Sequence, residues 1–354
     1  MIWSFAIVGT FLAALFVVDK LLAAPKYNAD NSNHFDGSKF VNPGNPEAHH
    51  YGDVLKWWFS GNDKGHWEKH TNGEINQHTP SESNSDNNKI TFVNHATFLL
   101  QIDGINILTD PIWSNRASPY QWIGPKRMRK PGIAFEDLPD IDTVLISHNH
   151  YDHLDIHAIK RLHEQYDPQF VVPLGVEKLL HKHGISKTIH LDWWEETQTE
   201  QQLRLTAVPA RHFSGRGLFD RNKTLWCGYV LHTSLGNIYF AGDSGYGDFF
   251  KEIGHRFGPM HTSMIPIGAY KPRWFMAPIH MSPEEAVLAH RDVQSQQSIA
   301  MHFGTFPMAD DGMFEATEDL EIARKSNNIS EEQFRILEEG DPLELTARKS
   351  ADVA

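Results

Sequence analysis

The sequence contains a single cysteine, Cys227, among 354 residues. A disulfide within one chain is therefore excluded, and any metal site must use His, Asp and Glu side chains. Positive charge is also scarce, because 32 Lys and Arg residues face 45 Asp and Glu residues, for a formal net charge of −13. A chain with this balance is not built as a whole to bind a polyanion, so we expect no nucleic-acid partner.

One apolar run without any charge occupies residues 2–18. As a helix it would be ~25 Å long at ~1.5 Å per residue, slightly short of a ~30 Å hydrocarbon core. We interpret residues 1–24 as a hydrophobic helix that anchors the protein to a membrane. A cleaved signal peptide, which would imply export, and a buried helix are the alternatives. The anchor is favoured because no Lys or Arg precedes the run.

Residues 25–87 are rich in Asn, Gly, Pro and His, which predicts a linker or an arm that wraps around the following domain. Three tryptophans in it, Trp57, Trp58 and Trp67, either pack onto the edge of that domain or form a rim that contacts lipid. Residues 71–89 have few apolar side chains and are expected to form a loop. The remaining stretch, 88–345, is expected to form one catalytic domain.

Short apolar segments and helical patterns alternate through this domain, which predicts an α/β fold with a layered mixed sheet. The predicted strands are 90–93, 98–102, 105–108, 143–146, 170–172, 203–208, 225–231, 238–241, 264–267 and 299–302. Helices are predicted at 155–166, 176–181 and 249–257. Capping-box patterns at Ser282 and Ser330 predict two more helices, the second ending at Gly340.

Three histidines and a carboxylate follow the predicted strand 143–146. His148, His150, Asp152 and His153 form an H-x-H-x-D-H pattern, and a loop at a strand end can direct all four into one pocket. Imidazole suits zinc and a carboxylate can complete the site, so the pattern predicts ligands for more than one metal ion. The alternative is a histidine-rich surface loop.

Three further candidate ligands lie at or just beyond the ends of predicted strands. They are His212, Asp243 and His302. Alone, each is more simply explained as a packed side chain. Together with the central pattern they give five His and two Asp, which is the set needed for two metal ions with one shared carboxylate.

Six segments resemble a known family: HNHYDHLD (148–155), LDWWEE (191–196), FAGDSGYG (240–247), IPIGAYKPRWFM (265–276), MSPEEAV (281–287) and HFGTF (302–306). The chain resembles the metallo-β-lactamase superfamily and, within it, the phospholipases D that hydrolyse N-acyl-phosphatidylethanolamine. The resemblance covers roughly residues 88–310 and implies an αββα sandwich with a dinuclear site at the sheet edges.

The resemblance also implies a ligand assignment for two Zn²⁺ ions per chain. His148, His150 and His212 would hold one ion, Asp152, His153 and His302 the other, and Asp243 would bridge them together with water or hydroxide. None of these positions is a cysteine, which favours a phosphoesterase-type site with nitrogen and oxygen ligands.

The implied activity is hydrolysis of a lipid phosphodiester to N-acylethanolamine and phosphatidic acid, by attack of the bridging hydroxide on phosphorus. Asp152, Asp243 and His280 are the expected catalytic residues, and His280 would protonate a leaving alkoxide or hold substrate. Arg273 and Tyr270 are candidates for substrate binding, although Arg273 could equally form a structural ion pair. Asp110 and His95 are expected to orient ligands or to occupy turns.

The expected partners are a membrane phospholipid, as substrate, and the membrane surface; the chain could also form a homodimer. Two other functions compete with the phospholipase. One is a different hydrolase on the same site, such as a lactonase or a soluble phosphodiesterase. The other is a membrane-tethered metal- or lipid-binding protein without turnover, which the full ligand set disfavours.

Overall fold

The structure is a computed structural model that describes residues 17–27, 32–44, 51–61, 64–68, 79–80 and 87–346. Most of the predicted hydrophobic helix at 1–24 and of the predicted loop at 71–89 therefore lies outside the described residues. Residues 17–22 are helical. Within the described ranges, no helix combines the length and the apolar character needed to cross a membrane.

The described elements alternate between short strands and helices. In chain order they are α1 (Tyr51–Phe59), β1 (Lys89–Asn94), β2 (Thr97–Ile102), β3 (Ile105–Thr109), a 3₁₀ helix (Phe135–Asp137), β4 (Thr143–Leu145), α2 (Ile156–Tyr166), β5 (Gln169–Pro173), α3 (Val176–Lys182), β6 (Thr188–Leu191), β7 (Glu196–Gln198), β8 (Arg204–Val208), β9 (Gly228–Thr233), β10 (Gly236–Phe240), α4 (Phe249–Phe257), β11 (Met260–Pro266), α5 (Arg273–Met276), α6 (Pro283–Asp292), β12 (Ser295–Met301), α7 (Glu315–Ser326), β13 (Phe334–Arg335) and β14 (Pro342–Glu344).

The strands form two seven-stranded sheets. The first has the order β14-β1-β2-β3-β4-β5-β6 and the second the order β13-β12-β11-β10-β9-β8-β7. In each sheet an antiparallel meander continues into parallel strands: β3 to β6 are parallel in the first, and β10 to β13 in the second. The predicted two-sheet α/β architecture is confirmed.

The two sheets pack face to face with helices on their outer surfaces. Leu145 and Val171 face the core between the sheets, whereas their neighbours Val144 and Phe170 face the core beneath α2 and α3. Because both faces are covered, these strands are apolar at nearly every position rather than alternating. This continuous burial explains why the central strands could be recognised in the sequence.

The helix predicted to start at Ser330 is wrong. The local capping contacts do form, since Gln333 N–H donates to Ser330 Oγ at 3.3 Å and Ser330 N–H donates to Gln333 Oε1 at 2.9 Å. The chain nevertheless makes only a turn and then enters β13, because Phe334 is fully buried in the core. The helix in this region is α7, which the sequence analysis did not predict.

The ends of five strands meet at one edge of the two sheets. The loops after β3 and β4 leave the first sheet there, and those after β8, β10 and β12 leave the second. All the candidate metal ligands lie on the last four of these loops. The fold therefore brings together residues that are separated by more than a hundred positions in the chain.

Candidate metal centre

The loop that follows β4 is fixed to both sheets at its start. Ile146 N–H donates to Val171 O in the first sheet at 3.0 Å, and Cys227 N–H donates to Ser147 O from the second at 3.0 Å. At its far end Asp155 caps α2 by accepting from His157 N–H at 3.0 Å. His148, His150, Asp152 and His153 therefore project from a short loop that is held at both ends.

Three imidazole nitrogens converge on one point. His148 Nε2 lies 2.8 Å from His150 Nδ1, and His212 Nε2 lies 3.1 Å from the same atom. Ligand atoms of a tetrahedral zinc ion with bonds of ~2.0–2.1 Å are separated by about 3.3 Å. The spacing of these three nitrogens is thus close to that of three ligands of one ion.

A second group of ligand atoms lies beside the first. His153 Nε2 and His302 Nε2 are 3.2 and 3.3 Å from Asp152 Oδ2. The same two nitrogens are 3.1 and 3.0 Å from Asp243 Oδ2, which is also 3.7 Å from His212 Nε2. Asp243 therefore lies between the two groups, at the position a shared carboxylate would occupy.

Several buried polar atoms in this centre have no hydrogen-bond partner within the described part of the chain. They include His153 Nε2, His302 Nε2 and Asp243 Oδ1. Unsatisfied buried groups are costly, and atoms that face one another without hydrogen-bond geometry are expected where a cation is bound. The donor set, its spacing and these atoms all fit metal ions, and the residues form overlapping groups able to hold them.

The outer nitrogens of His153 and His148 are fixed by a second layer of polar groups. His153 Nδ1–H donates to Asp110 Oδ2 at 2.7 Å. Asp110 in turn accepts from Ser147 N–H at 2.7 Å and from Ser147 Oγ–H at 2.6 Å, and Ser147 Oγ lies 2.9 Å from His148 Nδ1. These contacts direct Nε2 of both histidines toward the centre, as outer partners of metal ligands commonly do.

His95 lies against the second group. Its Nε2 is 2.9 Å from Asp152 Oδ2, and its backbone carbonyl accepts from His302 N–H at 2.7 Å. The side chain is buried, and it belongs to a group with Asp152, His153 and His302 that could hold a metal ion. The structure thus places His95 beside the ligands, where it orients Asp152.

Burial controls the protonation of the first group. Removal from water lowers the pKa of His150 and of His212 to about 3 and holds the pKa of His148 well below its ordinary value. Lone pairs on these rings are therefore available to a metal ion at neutral pH. His212 Nδ1–H donates to Ile279 O at 2.9 Å, which leaves Nε2 of that ring unprotonated.

In the second group, the pKa values of the histidines are raised rather than lowered in the metal-free protein. Burial acts to lower the pKa of His302, but the carboxylates of Asp243 and Asp152 outweigh it and raise that pKa to about 9. The pKa of His153 is also raised, by Asp243, Asp152 and Asp110 against the effect of burial. Protons thus supply the positive charge that a metal ion would bring, so metal binding should release them.

Close backbone packing limits which residues can build this centre. Gly242, just before Asp243, has a φ of +60°, and a Cβ there would lie 2.7 Å from Ser147 Cβ. A Cβ on Gly268 would lie 2.0 Å from His302 O. His302 itself has a φ of 61°, a strained conformation for this residue type.

The centre opens into a cavity of about 410 Å³. Its floor is formed by ligands from both groups, and much of its wall is apolar, with Val54, Trp57, Phe213, Phe275, Met276, Ile279 and Met308. Among the described residues that line it, Arg221 alone carries a Lys or Arg side chain, and its guanidinium lies 4.2 Å from the ring centre of Phe213.

The three remaining predicted site residues have different positions. His280 lines the cavity, and its Nδ1 is 4.0 Å from Asp243 Oδ2. Arg273 and Tyr270 do not line it. Arg273 donates to Glu285 at 2.7 Å and to the carbonyls of Tyr270 and His280, while the Tyr270 hydroxyl donates to Asp319. Both side chains are engaged by the protein, and the contact of Arg273 with Glu285 is the structural ion pair that the sequence left open as its alternative role.

Asn42, Phe213 and Arg221 lie around the site but were not predicted from the sequence, whereas Trp57 was expected to pack on the domain edge or to contact lipid. Asn42 contacts the backbone of His212, and Trp57, Phe213 and Arg221 line the cavity. Phe213 could have been found because it follows a ligand directly. Asn42 and Arg221 had no such signal, because Asn42 belongs to a segment with the composition of a linker and Arg221 lies outside the six family-like segments.

The comparisons with known proteins agree with this fold. A family model for the beta-lactamase superfamily domain matches residues 105–303. An N-acyl-phosphatidylethanolamine-hydrolysing phospholipase D from Caenorhabditis elegans is 43% identical over 229 residues, which cover 62% of this chain and 64% of that protein. The mitochondrial enzyme of the same name from Saccharomyces cerevisiae is 35% identical over 227 residues, which cover 62% of this chain and 48% of that protein.

A solved structure shares the fold. The metallo hydrolase Igni18 from Ignicoccus hospitalis superposes with a TM-score of 0.56 at 21% identity, covering 74% of this chain and 100% of that one. The chain spans less than two thirds of the length of the two phospholipases that it matches. With more than half of its residues matched by the family model, the chain belongs to the metallo-β-lactamase superfamily.

Proposed function

We propose that this protein is a zinc-dependent phosphodiesterase that hydrolyses N-acyl-phosphatidylethanolamine-type lipids to N-acylethanolamine and phosphatidic acid. The observation that carries the proposal is that seven candidate ligands, all imidazoles and carboxylates, cluster together and five of them line a largely apolar cavity. The similarity to the worm and yeast phospholipases supports the choice of headgroup and of the bond that is broken.

The proposed ligand assignment follows the two groups in the structure. His148, His150 and His212 would hold one zinc ion, Asp152, His153 and His302 the other, and Asp243 both. When bound, two zinc ions would supply Lewis acidity and lower the pKa of water to near 7. Two carboxylates leave such a centre with net positive charge, which suits a phosphodiester of charge −1.

His280 and Arg221 are the side chains best placed to handle the substrate outside the metal ligands. Burial holds the pKa of His280 well below its ordinary value, so the ring is neutral and can donate a hydrogen bond to a phosphoryl or leaving-group oxygen. Arg221 supplies a positive charge at the wall of the cavity. We assign it the contact with the anionic diester that the sequence analysis expected of Arg273.

The apolar wall gives the cavity a preference for a lipid. Trp57 is fixed by a hydrogen bond from Nε1 to Asp310 at 3.0 Å and stacks on Phe275 with ring centres 5.0 Å apart. Met276 and Ile279 extend the same wall. An acyl chain on this surface would gain ~0.8 kcal/mol per buried methylene, which a small soluble diester cannot do.

Exposed apolar side chains adjoin the cavity in the sequence, and we call Trp58, Phe59, Trp122, Ile123, Leu218 and Phe219 the apolar rim. Trp58 is 75% exposed, Phe59 83% and Trp122 74%. Each member lies within a few residues of one that lines the cavity, such as Trp57, Ala117 or Gly215. Exposed groups of this kind mark interaction surfaces, and tryptophan favours the membrane interface. The apolar rim supports a membrane surface as the proposed partner.

The proposal can be tested by product analysis with the zinc-loaded protein in water enriched in oxygen-18. The substrates would be N-acyl-phosphatidylethanolamine in mixed micelles, bis(4-nitrophenyl) phosphate and an N-acyl-homoserine lactone. We expect N-acylethanolamine and phosphatidic acid from the lipid, with the heavy oxygen in the phosphatidic acid because attack occurs at phosphorus. We also expect the lipid to have the highest kcat/KM.

Faster turnover of the lactone, with no release of N-acylethanolamine, would contradict the proposed substrate and favour a lactonase. Preference for the soluble diester over the lipid would favour a soluble phosphodiesterase. Full zinc occupancy without turnover of any of the three would indicate a binding protein.

A further inference from the structure

The arm formed by residues 32–44 is anchored against the catalytic domain. Phe40 is fully buried in the main core, and its N–H donates to Asn222 O at 2.8 Å. His34 contacts the carboxylate of Asp192 and stacks on Trp193, with ring centres 4.2 Å apart. An arm anchored in this way can hold a side chain at a fixed place beside the metal centre.

Asn42, two residues beyond Phe40, makes a two-point contact with the backbone of a proposed metal ligand. Its Nδ2–H donates to His212 O at 2.8 Å, and its Oδ1 accepts from His212 N–H at 2.9 Å. The same Oδ1 accepts from Trp226 Nε1–H at 3.0 Å. The amide therefore takes the place that a neighbouring strand would take in a sheet.

Asn42 supplies hydrogen bonds to a stretch of backbone that lies beyond the end of a strand. β8 ends at Val208, and His212 lies four residues further along, in irregular structure. Within the described ranges, the N–H and the carbonyl of His212 both form hydrogen bonds with the side chain of Asn42. Because His212 is buried, losing these bonds would leave a donor and an acceptor unsatisfied.

The ring and the backbone of His212 are thus fixed by different partners. The ring is oriented by Nδ1–H donation to Ile279 O at 2.9 Å, and the backbone is placed by Asn42. Without the second contact, the ring could keep its tautomer while its Nε2 moved away from His148 and His150. Ligand position within a few tenths of an ångström decides whether a third nitrogen reaches the ion.

We infer that Asn42 is a positioning residue for the metal ligand His212, and that the arm 32–44 completes the metal centre from outside the segment matched by the family model. The inference rests on the proposed metal site but not on the proposed substrate. It predicts that Asn42 affects the ion held by His148, His150 and His212 more than the ion held by Asp152, His153 and His302.

The test compares Asn42→Ala and Asn42→Asp with Lys39→Ala, an exposed position on the same arm. Asn42→Asp is almost isosteric, but it places a second oxygen against His212 O in place of the donor. Metal affinity is measured by titration of the metal-free proteins with Zn²⁺ in a competing chelator. The visible spectrum of the Co²⁺-substituted proteins reports the coordination geometry.

We expect both Asn42 variants to bind one of two ions about 10- to 100-fold more weakly, with a changed Co²⁺ spectrum, and Lys39→Ala to match the unmodified protein. A folded Asn42 variant with both affinities and the spectrum unchanged would overturn the inference, even if its melting temperature fell. If Asn42→Ala does not fold, Asn42→Asp decides. Because no substrate is used, the result does not depend on whether the protein hydrolyses phospholipids.

Discussion

At the scale of single residues, three of the proposed ligands have a second contact that sets the direction of the ring. Asp110 accepts a hydrogen bond from His153, Ser147 contacts the ring of His148, and the carbonyl of Ile279 accepts a hydrogen bond from His212. These partners also decide which ring nitrogen faces the ion, because a nitrogen that donates elsewhere cannot bind a metal. The centre is therefore organised by its outer contacts before any metal is bound.

Removing one proposed ligand carboxylate should strongly reduce turnover while leaving the other ion in place. We expect Asp152→Ala to lose one of two zinc ions and to reduce kcat/KM by two orders of magnitude or more, since metal ions stabilise transition-state charge by several kcal/mol. Metal content per chain and kcat/KM on the lipid are the measurements. His190→Ala, at an exposed position on β6, is the control. An Asp152→Ala protein with full zinc and full turnover would refute the assignment.

The two arginines should separate into a substrate contact and a structural contact. Arg221→Gln is expected to lower kcat/KM for the anionic lipid by about 10- to 100-fold, the value of ~1.5–3 kcal/mol for a hydrogen bond to a charged group. Its kcat/KM for a neutral lactone should change little. Arg273→Gln breaks the contact with Glu285 and should instead lower the melting temperature by a few degrees.

The reverse outcome would support the expectation from the sequence that Arg273 binds substrate. If Arg273→Gln weakened catalysis on the lipid without a change in melting temperature, and Arg221→Gln had no effect, Arg273 would be the substrate contact. Arg221→Lys keeps the charge and distinguishes its loss from a loss of packing against Phe213.

The residues of the site differ in how far the sequence could reveal them. The seven candidate ligands could be recognised because His and Asp at strand ends form distinctive patterns, and the structure brings all seven together. Asn42 and Arg221 could not, because their relation to the site exists only through the tertiary fold. For Arg273 the sequence left a substrate contact and a structural ion pair open, because its position in a family-like segment does not show that its guanidinium faces Glu285.

At the scale of elements, burial decided which strands could be predicted. The central strands are apolar throughout because both of their faces are covered. The unpredicted strands β6, β7, β13 and β14 are the edge strands of the two sheets, and each has only two to four residues, most of them exposed or half-exposed apart from Leu191 and Phe334. At Ser330 the local capping pattern was overruled, since burying Phe334 in the core favours a strand.

The helix α1 should carry much of the interaction with lipid. Its inner face holds Trp57 against Phe275, while Trp58 and Phe59 extend into solvent. Because each exposed aromatic could gain ~1.5–3 kcal/mol on burial, we expect Trp58→Ser with Phe59→Ser to weaken binding to phospholipid vesicles at least tenfold. Turnover of lipid in vesicles should fall in parallel, with kcat/KM on bis(4-nitrophenyl) phosphate unchanged.

A matched variant tests whether the loss of any exposed apolar side chain would weaken vesicle binding equally. Ile322→Ser removes a side chain that is 62% exposed on α7, which does not line the cavity. Equal vesicle binding by the rim variant and the Ile322 variant would show that the apolar rim is not a membrane contact.

At the scale of the whole molecule, two sheets are joined at one edge by a cluster of buried ionisable groups. In the metal-free protein, its histidines have opposite effects on how the folding stability changes with pH. His150 and His212 have pKa values of about 3 in the folded protein against an ordinary value of 6.5, so their neutral forms favour folding above pH 6.5 and this stability is lost as pH falls toward 3. His302, with a pKa of about 9, stabilises below pH 6.5 and loses that contribution as pH rises through 9.

The metal-free protein should therefore be most stable near pH 6.5 and melt at lower temperature on either side. Bound zinc would replace the proton on His302, so the zinc-loaded protein should lose the alkaline decline. Melting temperatures between pH 5 and 9.5, with chelator and with zinc, measure both curves. Curves that run parallel over this whole range would contradict the proposed exchange of protons for metal.

The central claim is that seven side chains from four loops bind two metal ions that share Asp243. The most direct measurement is anomalous X-ray diffraction from crystals of the zinc-loaded protein, at wavelengths on either side of the zinc absorption edge. The account predicts two anomalous peaks per chain, one beside His148, His150 and His212 and one beside Asp152, His153 and His302, with Asp243 between them. A single peak, or peaks away from these residues, would contradict it.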